Sequence, residues 1–367
     1  MPIDPLRVLI VDDSAFMRRM LREILQREPD LDVVGVAADG LEALEMVRAL
    51  APDIVTLDLI MPGLDGLGFL RAQQHRGAVP AIIVSILDEE DAHALTALEL
   101  GAIDIVRKPG SVATTTVFDM AADLIEKIRI YARERYGLMI SDAMQASPSG
   151  IPPGADVATT GHDTSAPFPR VAPLVLAIGT STGGPLALRH ILPKLPPDYP
   201  IPVVVAIHMP SGYTRSFAER LDRDCMLEVC EASQGDVLLP GRILIAPAGI
   251  HTRCEALEGG VCISLSAQPF DLPHRPSVDV LFESLAESYG AGTCAAVLTG
   301  MGADGALGAR RIVEAGGRVF AQARASSIVY GMPRAVTDAG LAEAALELEE
   351  MAEFLCRLPY DEGGPRR

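Results

Sequence analysis

The sequence has no tryptophan, few aromatic residues and few basic residues. Its 31 lysines and arginines are outnumbered by 49 aspartates and glutamates, and the formal net charge of −18 argues against non-specific binding of nucleic acid. The six cysteines form no C-x-x-C pair and the seven histidines form no H-x-x-x-H or H-x-x-E-H cluster, so we expect neither disulfides nor a zinc site. No apolar run is long enough to span a membrane, and the N-terminus lacks a signal-type apolar core. These two absences predict a cytoplasmic protein with no membrane insertion.

A segment with hardly any aliphatic residues divides the chain. Residues 141–170 contain five prolines and three glycines, a composition that is typical of a flexible linker because it cannot build a core. The length of 367 residues is typical of two or three domains, and the hydrophobic fraction of 49% is sufficient for buried cores. We therefore predict a first domain over 1–140, the linker over 141–170, a second domain over 171–358 and a tail over 359–367.

The most informative segment of the second domain is LVLAIGTSTGGPL, residues 174–186. An apolar run of strand character passes directly into a glycine-rich turn, after which Pro185 suits the first position of a helix. Residues 179–183 fit G-x-S-x-G, the pattern of a nucleophile elbow, in which the Ser181 hydroxyl points away from the sheet beside the free N–H groups that open the helix. The alternative is a glycine-rich turn that binds a phosphate or only connects a strand to a helix.

Two further apolar runs of the second domain lead to polar residues that could act with Ser181. The apolar run at 201–207 is followed directly by His208, and the run at 295–298 is followed by TGMGADG, which contains Asp304. Functional groups gather at the carboxyl ends of strands in open parallel sheets, so the three side chains could converge although they are far apart in sequence. The chain order would be Ser, His, Asp, which differs from the Ser, Asp, His order of the α/β-hydrolases.

Four short apolar runs in the first domain also end in polar groups, and helical patterns separate them. This alternation predicts a doubly wound α/β unit. The strand ends would bring together three carboxylates, a hydroxyl and an ammonium group, those of Asp12, Asp13, Asp58, Ser85 and Lys108. Any one of these acidic residues could simply cap a strand end beside solvent, but the five groups together indicate a functional site. Carboxylates with room for water favour Mg²⁺.

Several long motifs, in one order, closely resemble a known family. The second domain contains GTSTGGP, IHMPSGYTRSFAERL, HRPSVDVLF, LTGMGADG and YGMPRAV, and the first contains DDS, LDLIMPGLDG and RKP. Together these motifs resemble the chemotaxis response-regulator protein-glutamate methylesterases, the CheB family. The resemblance implies an α/β protein with two doubly wound domains, a flavodoxin-like receiver and a mostly parallel α/β methylesterase domain.

The resemblance also implies roles for residues of the second domain. It implies Ser181 as the nucleophile, His208 as the general base and acid, and Asp304 as the orienting carboxylate. Thr182 and Met301 match positions that line the site or supply oxyanion N–H groups. The ester chemistry of the family needs no cofactor.

For the receiver, the resemblance implies Mg²⁺-dependent phosphorylation. The implied roles are Asp58 as phosphoacceptor, Asp12 and Asp13 with Asp58 around Mg²⁺, Lys108 as phosphate contact and Ser85 as switch hydroxyl. Two positions depart from the family pattern: Ile60 stands where these methylesterases commonly carry an acidic residue, and Ile105 stands where receivers usually have an aromatic residue.

The implied activity is that of a phosphorylation-activated serine esterase that hydrolyses glutamate methyl esters on chemoreceptors, releases methanol and provides chemotactic adaptation. Deamidation of receptor glutamines would follow the same acyl-enzyme route. The implied partners are methyl-accepting chemotaxis receptors and a chemotaxis histidine kinase as phosphodonor. Two alternatives stay open: an adaptor that has lost catalysis, and a receiver-controlled esterase that acts on a non-receptor ester.

A few other polar residues carry weaker signals. His190 is predicted to be a surface or packing residue, whereas His251 and His274 match positions near the substrate cleft of the family. Arg215 and Arg220 could meet acidic receptor helices, or they could belong to a solvated amphipathic helix.

Overall fold

The computed structural model describes residues 5–74, 78–85, 92–108, 114–136 and 171–360. The predicted linker, 141–170, lies outside these ranges, as do residues 361–367 of the predicted tail. No helix in the described ranges combines the length and the apolar character that crossing a membrane requires.

The N-terminal part is built on a five-stranded parallel sheet. Its strands are β1 (Leu6–Val11), β2 (Leu31–Ala37), β3 (Ile54–Leu57), β4 (Ala81–Ser85) and β5 (Asp104–Arg107). Its helices are α1 (Ala15–Leu25), α2 (Gly40–Leu50), α3 (Gly66–Gln73), α4 (Ala92–Glu99) and α5 (Thr114–Tyr136). The strand order β2-β1-β3-β4-β5 is that of a flavodoxin-like doubly wound fold, which confirms the predicted fold class.

Short-range signals explain where these elements begin. The strands β3 and β4 are buried along their whole length, as expected for parallel strands that are covered by helices on both faces. Side-chain oxygens of Ser14, Asp39 and Asp65 accept hydrogen bonds from main-chain N–H groups in the first turns of α1, α2 and α3. These caps set the helix starts, which follow the strand ends closely at α1 and α2 and after a longer loop at α3.

A seven-stranded sheet forms the C-terminal part. Its strands are β6 (Val175–Thr180), β7 (Val203–Ile207), β8 (Glu228–Glu231), β9 (Arg242–Ile245), β12 (Thr293–Val297), β13 (Arg318–Gln322) and β14 (Ala344–Leu346). The hairpin formed by β10 (His251–Leu257) and β11 (Gly260–Ser266) pairs antiparallel outside this sheet. All described pairs within the order β14-β13-β12-β6-β7-β9-β8 are parallel. The strands that follow β6 along the chain lie on one side of the central β6–β12 pair, and the strands that follow β12 lie on the other.

Helices cover both faces of the larger sheet. They are α6 (Gly184–Ile191), α7 (Tyr213–Asp224), α8 (Val278–Tyr289), α9 (Ala306–Glu314), α10 (Met332–Asp338) and α11 (Leu348–Arg357), with single 3₁₀ turns at Leu192–Lys194, Gly290–Gly292 and Leu358–Tyr360. Side chains of β6 alternate between two cores, one shared with α6, α7 and α11 and the other with α8, α9 and α10. The arrangement is doubly wound, so the fold predicted for this part is also confirmed.

Candidate active site

Ser181 lies on a tight turn between β6 and α6, as the G-x-S-x-G pattern predicts. Its N–H donates to the Thr299 carbonyl at 3.1 Å, which fixes the turn against the chain that follows β12. Gly183 has a φ of +79°, a left-handed conformation that favours glycine. A Cβ at Gly300 would lie 2.9 Å from Ser181 Cβ, so the close approach of the segment after β12 to Ser181 also requires glycine.

His208 follows the neighbouring strand at the same edge of the sheet. Thr180 pairs with Ile207, and the N–H of His208 donates to the Thr180 carbonyl at 3.2 Å, so Ser181 and His208 leave their strands side by side. His208 Nε2 lies 2.8 Å from Asp304 Oδ2. Nδ1 is buried and has no hydrogen-bond partner among the described residues. With Nε2 bonded to Asp304, Nδ1 is therefore the ring nitrogen whose lone pair is unpaired among the described residues.

Asp304 is held by hydrogen bonds on both carboxylate oxygens. Besides His208, its donors are Ser277 Oγ at 2.8 Å, Val278 N–H at 2.7 Å and Asp279 N–H at 2.9 Å. These groups form the N-terminal turn of α8, where a negative charge is favoured by the helix dipole. Burial alone would raise the pKa of the Asp304 carboxyl, but the hydrogen bond and charge of His208, together with the main-chain N–H groups, hold it well below its ordinary value.

Asp279 makes the reciprocal contact. Its Oδ1 accepts from the N–H groups of Gly305 at 2.9 Å and Gly308 at 2.7 Å, at the start of α9. Asp304, which precedes α9, thus caps α8, while Asp279, in the first turn of α8, caps α9. Burial, reinforced by the nearby Asp304 charge, raises the pKa of Asp279 to about 6. The two carboxylates fix the relative position of the helices that carry them.

Two further histidines support His208 and Asp304. The ring of His274 stacks on that of His208, with centroids 4.2 Å apart and an interplanar angle of 21°. Buried His251 accepts the Ser277 N–H on Nδ1 at 3.2 Å, so its proton lies on Nε2, which contacts the Pro269 carbonyl at 3.0 Å. Burial lowers the pKa of His251, which favours this neutral form.

We expect the free energy of unfolding to fall as the pH is lowered from about 6.5 to 4, and His274 to account for part of that fall. Burial, reinforced by His208 and Lys127, lowers the pKa of His274 to about 4, whereas an unfolded histidine titrates near 6.5. Between these values the unfolded chain binds a proton that the folded chain does not, so acid favours unfolding. Urea unfolding of His274→Gln and the wild type across this range checks the prediction, and an identical pH dependence would contradict it.

Thr182 and Met301 lie at the positions expected for oxyanion donors. Thr182 is buried in the turn that holds Ser181, and Met301 follows Gly300 in the segment after β12. Neither main-chain N–H has a hydrogen-bond partner among the described residues. Both donors are thus available to a ligand oxygen, and their assignment as an oxyanion hole stays a prediction.

The predicted acidic residues of the N-terminal part also come together. Asp12 and Asp58 are buried, Asp13 is exposed, and ligand oxygens from all three lie within 4.8 Å of one another. Ser85 Oγ donates to Asp58 Oδ1 at 2.8 Å, and the Lys108 ammonium contacts both Asp58 and Asp12. Burial raises the pKa of Asp12 despite the opposing effect of Lys108. An all-oxygen set of this kind fits Mg²⁺.

The N-terminal part forms one wall of the cleft that contains Ser181. Thr182 Oγ1 donates to Asp104 Oδ2, and the Gly183 N–H donates to the Ile103 carbonyl at 3.3 Å. The other oxygen of Asp104 lies 2.6 Å from Lys127 Nζ on α5. The residues lining this cleft include Ile103, Asp104, Ile105, Ser181, Thr182, Gly183 and His208.

A second contact between the two parts surrounds Glu99, at the end of α4. Its Oε1 lies 2.9 Å from Arg220 and 3.1 Å from Arg189, on α7 and α6. Arg220, one of the cations suggested by the sequence to meet acidic receptor helices, therefore contacts this carboxylate within the chain. Arg215 lies on the exposed side of the amphipathic helix α7 and pairs with Glu231 at 3.3 Å.

Several residues around the cleft had no predicted role. Ser277 caps α8, and a serine before the apolar run VDVLF is a recognisable start signal for a helix. Asp279 and Asp104 are single acidic residues whose partners are distant in sequence, so no local pattern reveals their contacts. His190, predicted to lie outside the chemistry, pairs with Glu349 at 2.6 Å on α11.

The two parts define a response regulator whose effector domain has a doubly wound, mostly parallel α/β fold. A model of the response regulator receiver domain matches residues 8–117, and a model of the CheB methylesterase matches residues 176–355. The chain belongs to the CheB methylesterase family and is a hydrolase with a receiver domain.

Individual relatives are similar over nearly the whole chain. Protein-glutamate methylesterase/protein-glutamine glutaminase 5 of Myxococcus xanthus is 46% identical, over 97% of this chain and 98% of the relative. Protein-glutamate methylesterase/protein-glutamine glutaminase 2 of Pseudomonas aeruginosa is 40% identical, over 99% of each chain. The crystal structure of the Thermotoga maritima CheB methylesterase catalytic domain is 40% identical and covers 51% of this chain and 100% of its own, with a TM-score of 0.50.

Proposed function

We propose that this chain is a protein-glutamate methylesterase that hydrolyses γ-methyl esters of glutamate side chains on chemoreceptors. The observation that carries the proposal is the hydrogen bond from His208 Nε2 to Asp304, because it leaves the buried Nδ1 as a base beside the turn that holds Ser181. The names of the relatives support the substrate class. The reaction would follow the acyl-enzyme route of serine hydrolases.

In acylation, Ser181 Oγ attacks the ester carbonyl carbon while His208 Nδ1 takes the hydroxyl proton. The carbonyl oxygen becomes an oxyanion, and the main-chain N–H groups of Thr182 and Met301 are the proposed donors to it. Asp304 stabilises the imidazolium that forms, since its carboxylate stays ionised in this pocket. The C–O bond to the methoxy group then breaks, and the proton on Nδ1 passes to the leaving oxygen to give methanol.

In deacylation, His208 takes a proton from water as the water oxygen attacks the glutamyl-Ser181 ester. Collapse of the second tetrahedral intermediate returns the proton to Ser181 Oγ and releases the glutamate carboxyl group, which then loses its own proton to water. A glutamine side chain could acylate Ser181 in the same way, with ammonia in place of methanol as the leaving group. Glutaminase activity therefore needs no additional catalytic group, and we propose it as a second reaction of the same site.

The receiver is proposed to control this chemistry through phosphorylation of Asp58. Asp12, Asp13 and Asp58 would hold Mg²⁺, which when bound neutralises charge on an incoming phosphoryl group. Lys108 and Ser85 already contact the Asp58 carboxylate and would contact its phosphoryl group. Contacts of Ile103, Asp104 and Glu99 with the esterase part support inhibition by the unphosphorylated receiver, and activation then requires that the phosphorylated state docks less well.

The test of the proposed function is methanol release from receptors of the same cell that carry methylated glutamates. We expect release by the purified full-length chain, and faster release when a histidine kinase or a small acyl phosphate is added with Mg²⁺. No release would favour the adaptor alternative. Release from a simple ester but not from receptors would favour an esterase for another substrate.

Asp58→Asn is expected to abolish Mg²⁺-dependent phosphorylation and to leave the basal esterase rate in place. The amide cannot form the acyl phosphate, and Asp58 belongs to a different domain from Ser181. Incorporation of labelled phosphate and methanol release with and without donor measure both effects. Asp32→Asn, which changes an exposed carboxylate on β2, is the matched control. A labelled and activated Asp58→Asn protein would mean that another residue is the acceptor.

A further inference from the structure

Asp104 places a carboxylate of the receiver in the cleft of an esterase whose product is itself a carboxylate. Thr182 Oγ1, next to the nucleophile, donates to Asp104 Oδ2. The adjoining Gly183 N–H donates to the carbonyl of Ile103, the residue before Asp104. Both donors belong to the turn of Ser181, and both accepting oxygens belong to the receiver.

We propose that the Thr182 hydroxyl and the Gly183 N–H form a subsite for the acyl oxygen of the substrate side chain that does not lie in the proposed oxyanion hole. Asp104 Oδ2 occupies this subsite at Thr182 as an internal analogue of the product, and the Ile103 carbonyl occupies it at Gly183. This inference rests on the proposed esterase function. It assigns the substrate group that the subsite recognises, a side-chain ester or carboxylate, and it assigns Asp104 as the group with which that substrate competes.

The surroundings of Asp104 support this assignment. Lys127 Nζ lies 2.6 Å from Asp104 Oδ1 and the Ile105 N–H lies 2.7 Å from it, so one oxygen is anchored within the receiver and the other is presented to Thr182. The acid is about 15% exposed and its lysine about 16% exposed, so water competes little for either. A carboxylate presented in this way reproduces the end of the glutamate side chain that deacylation releases.

Binding of Asp104 and of substrate at one subsite predicts a specific kinetic pattern. An internal group that competes with substrate raises the apparent KM and leaves kcat unchanged. Asp104→Ala in the full-length, unphosphorylated chain is therefore expected to lower the KM for the methylated receptor about tenfold, the size expected for loss of one hydrogen bond to a charged group. Asp104→Asn, which keeps the shape but not the charge, is expected to lower it by less.

The matched control is Asp123→Asn. Asp123 lies 4.0 Å from the same Lys127 ammonium, but it is half exposed on α5 and its ion pair lies within the receiver. Its replacement is expected to leave KM unchanged. Urea unfolding of each variant establishes that the compared proteins are folded.

A second substitution separates a substrate subsite from a simple docking contact. In the Asp104→Ala background, Thr182→Val removes the hydroxyl while keeping the side-chain shape. If the hydroxyl binds the substrate, this double variant has a higher KM than Asp104→Ala alone. If the hydroxyl serves only to dock the receiver, adding Thr182→Val leaves KM as it is.

Propionate, which resembles the end of a glutamate side chain, probes the same subsite without chemistry. It is expected to inhibit Asp104→Ala competitively, with an inhibition constant about tenfold lower than for the wild type. Adding Thr182→Val should weaken that inhibition. A wild-type KM in Asp104→Ala, or no effect of Thr182→Val on KM and propionate inhibition, would overturn the inference while methanol release still upholds the proposed function. Absence of methanol release from every variant would overturn the function itself.

Discussion

Ser181→Ala and His208→Ala are each expected to lower methanol release from a methylated receptor by about 10⁴-fold or more, the loss typical of a serine-hydrolase triad. In the proposed mechanism Ser181 supplies the oxygen that forms the acyl bond and His208 Nδ1, which has no hydrogen-bond partner among the described residues, is the base. Both replacements therefore remove the same step. For that reason the double variant is expected to be little slower than either single variant, as measured by initial rates at saturating receptor.

His190→Ala is the control for the loss of an imidazole. His190 lies on α6, the helix that follows Ser181, but it pairs with Glu349 on α11 outside the cleft. We expect this variant to retain nearly the full rate. Losses in Ser181→Ala and His208→Ala that multiply in the double variant would show that the two residues act independently and would overturn the acyl-enzyme mechanism proposed here.

The residues that follow strand ends could be predicted because the signal for them is local. An apolar run next to glycine indicates a strand and a turn, and β6 and α6 begin within one residue of the predicted positions. Parallel strands then bring their carboxyl ends to one edge, which is why Ser181 and His208 could be expected side by side. The same reasoning groups Asp12 with Asp58 at the edge of the smaller sheet.

Contacts that join distant segments could not be predicted in this way. The pairing of Asp104 with Thr182 joins two domains, and it depends on how their surfaces fit rather than on any periodicity. The reciprocal caps of Asp279 and Asp304 likewise depend on the crossing of α8 and α9. The choice of Nε2 as the partner of Asp304 follows from the direction of the His208 side chain, which a sequence does not encode locally.

The antiparallel hairpin of β10 and β11 was also absent from the predicted fold. It packs on α8, where the Cys254 N–H donates to Ser284 Oγ at 2.9 Å and Ser288 Oγ donates to the Cys254 carbonyl at 2.8 Å. His251, the first residue of the hairpin, reaches Ser277 from this position. An element outside the main sheet thus supports the cap that binds Asp304.

Asp304→Asn is expected to lower kcat by about 10⁴-fold, the effect known for the equivalent replacement in serine proteases. The carboxylate accepts from His208 Nε2, so it holds the tautomer in which Nδ1 is unprotonated. An amide NH₂ facing Nε2 would instead donate to it and place the ring proton on Nδ1. The ring could then no longer accept the proton of Ser181. Initial rates of methanol release measure the loss.

The amide has no orientation that satisfies the site. With its NH₂ in place of Oδ2 it faces the Val278 N–H as well as His208, and with its NH₂ in place of Oδ1 it faces the Asp279 N–H. One buried donor is left unpaired in either case, so we also expect a loss of about 1–3 kcal/mol in the free energy of unfolding, measured with urea.

Asp279→Asn separates the two effects. The amide oxygen can still accept from Gly305 and Gly308, and the residue does not contact His208, so this variant is expected to keep most of its kcat. A comparable loss of kcat in both variants would mean that Asp304 acts only by holding α8 and α9 together. A large loss of kcat confined to Asp304→Asn would assign the carboxylate to the imidazole, because the capping role is common to both residues while the contact with His208 belongs to Asp304.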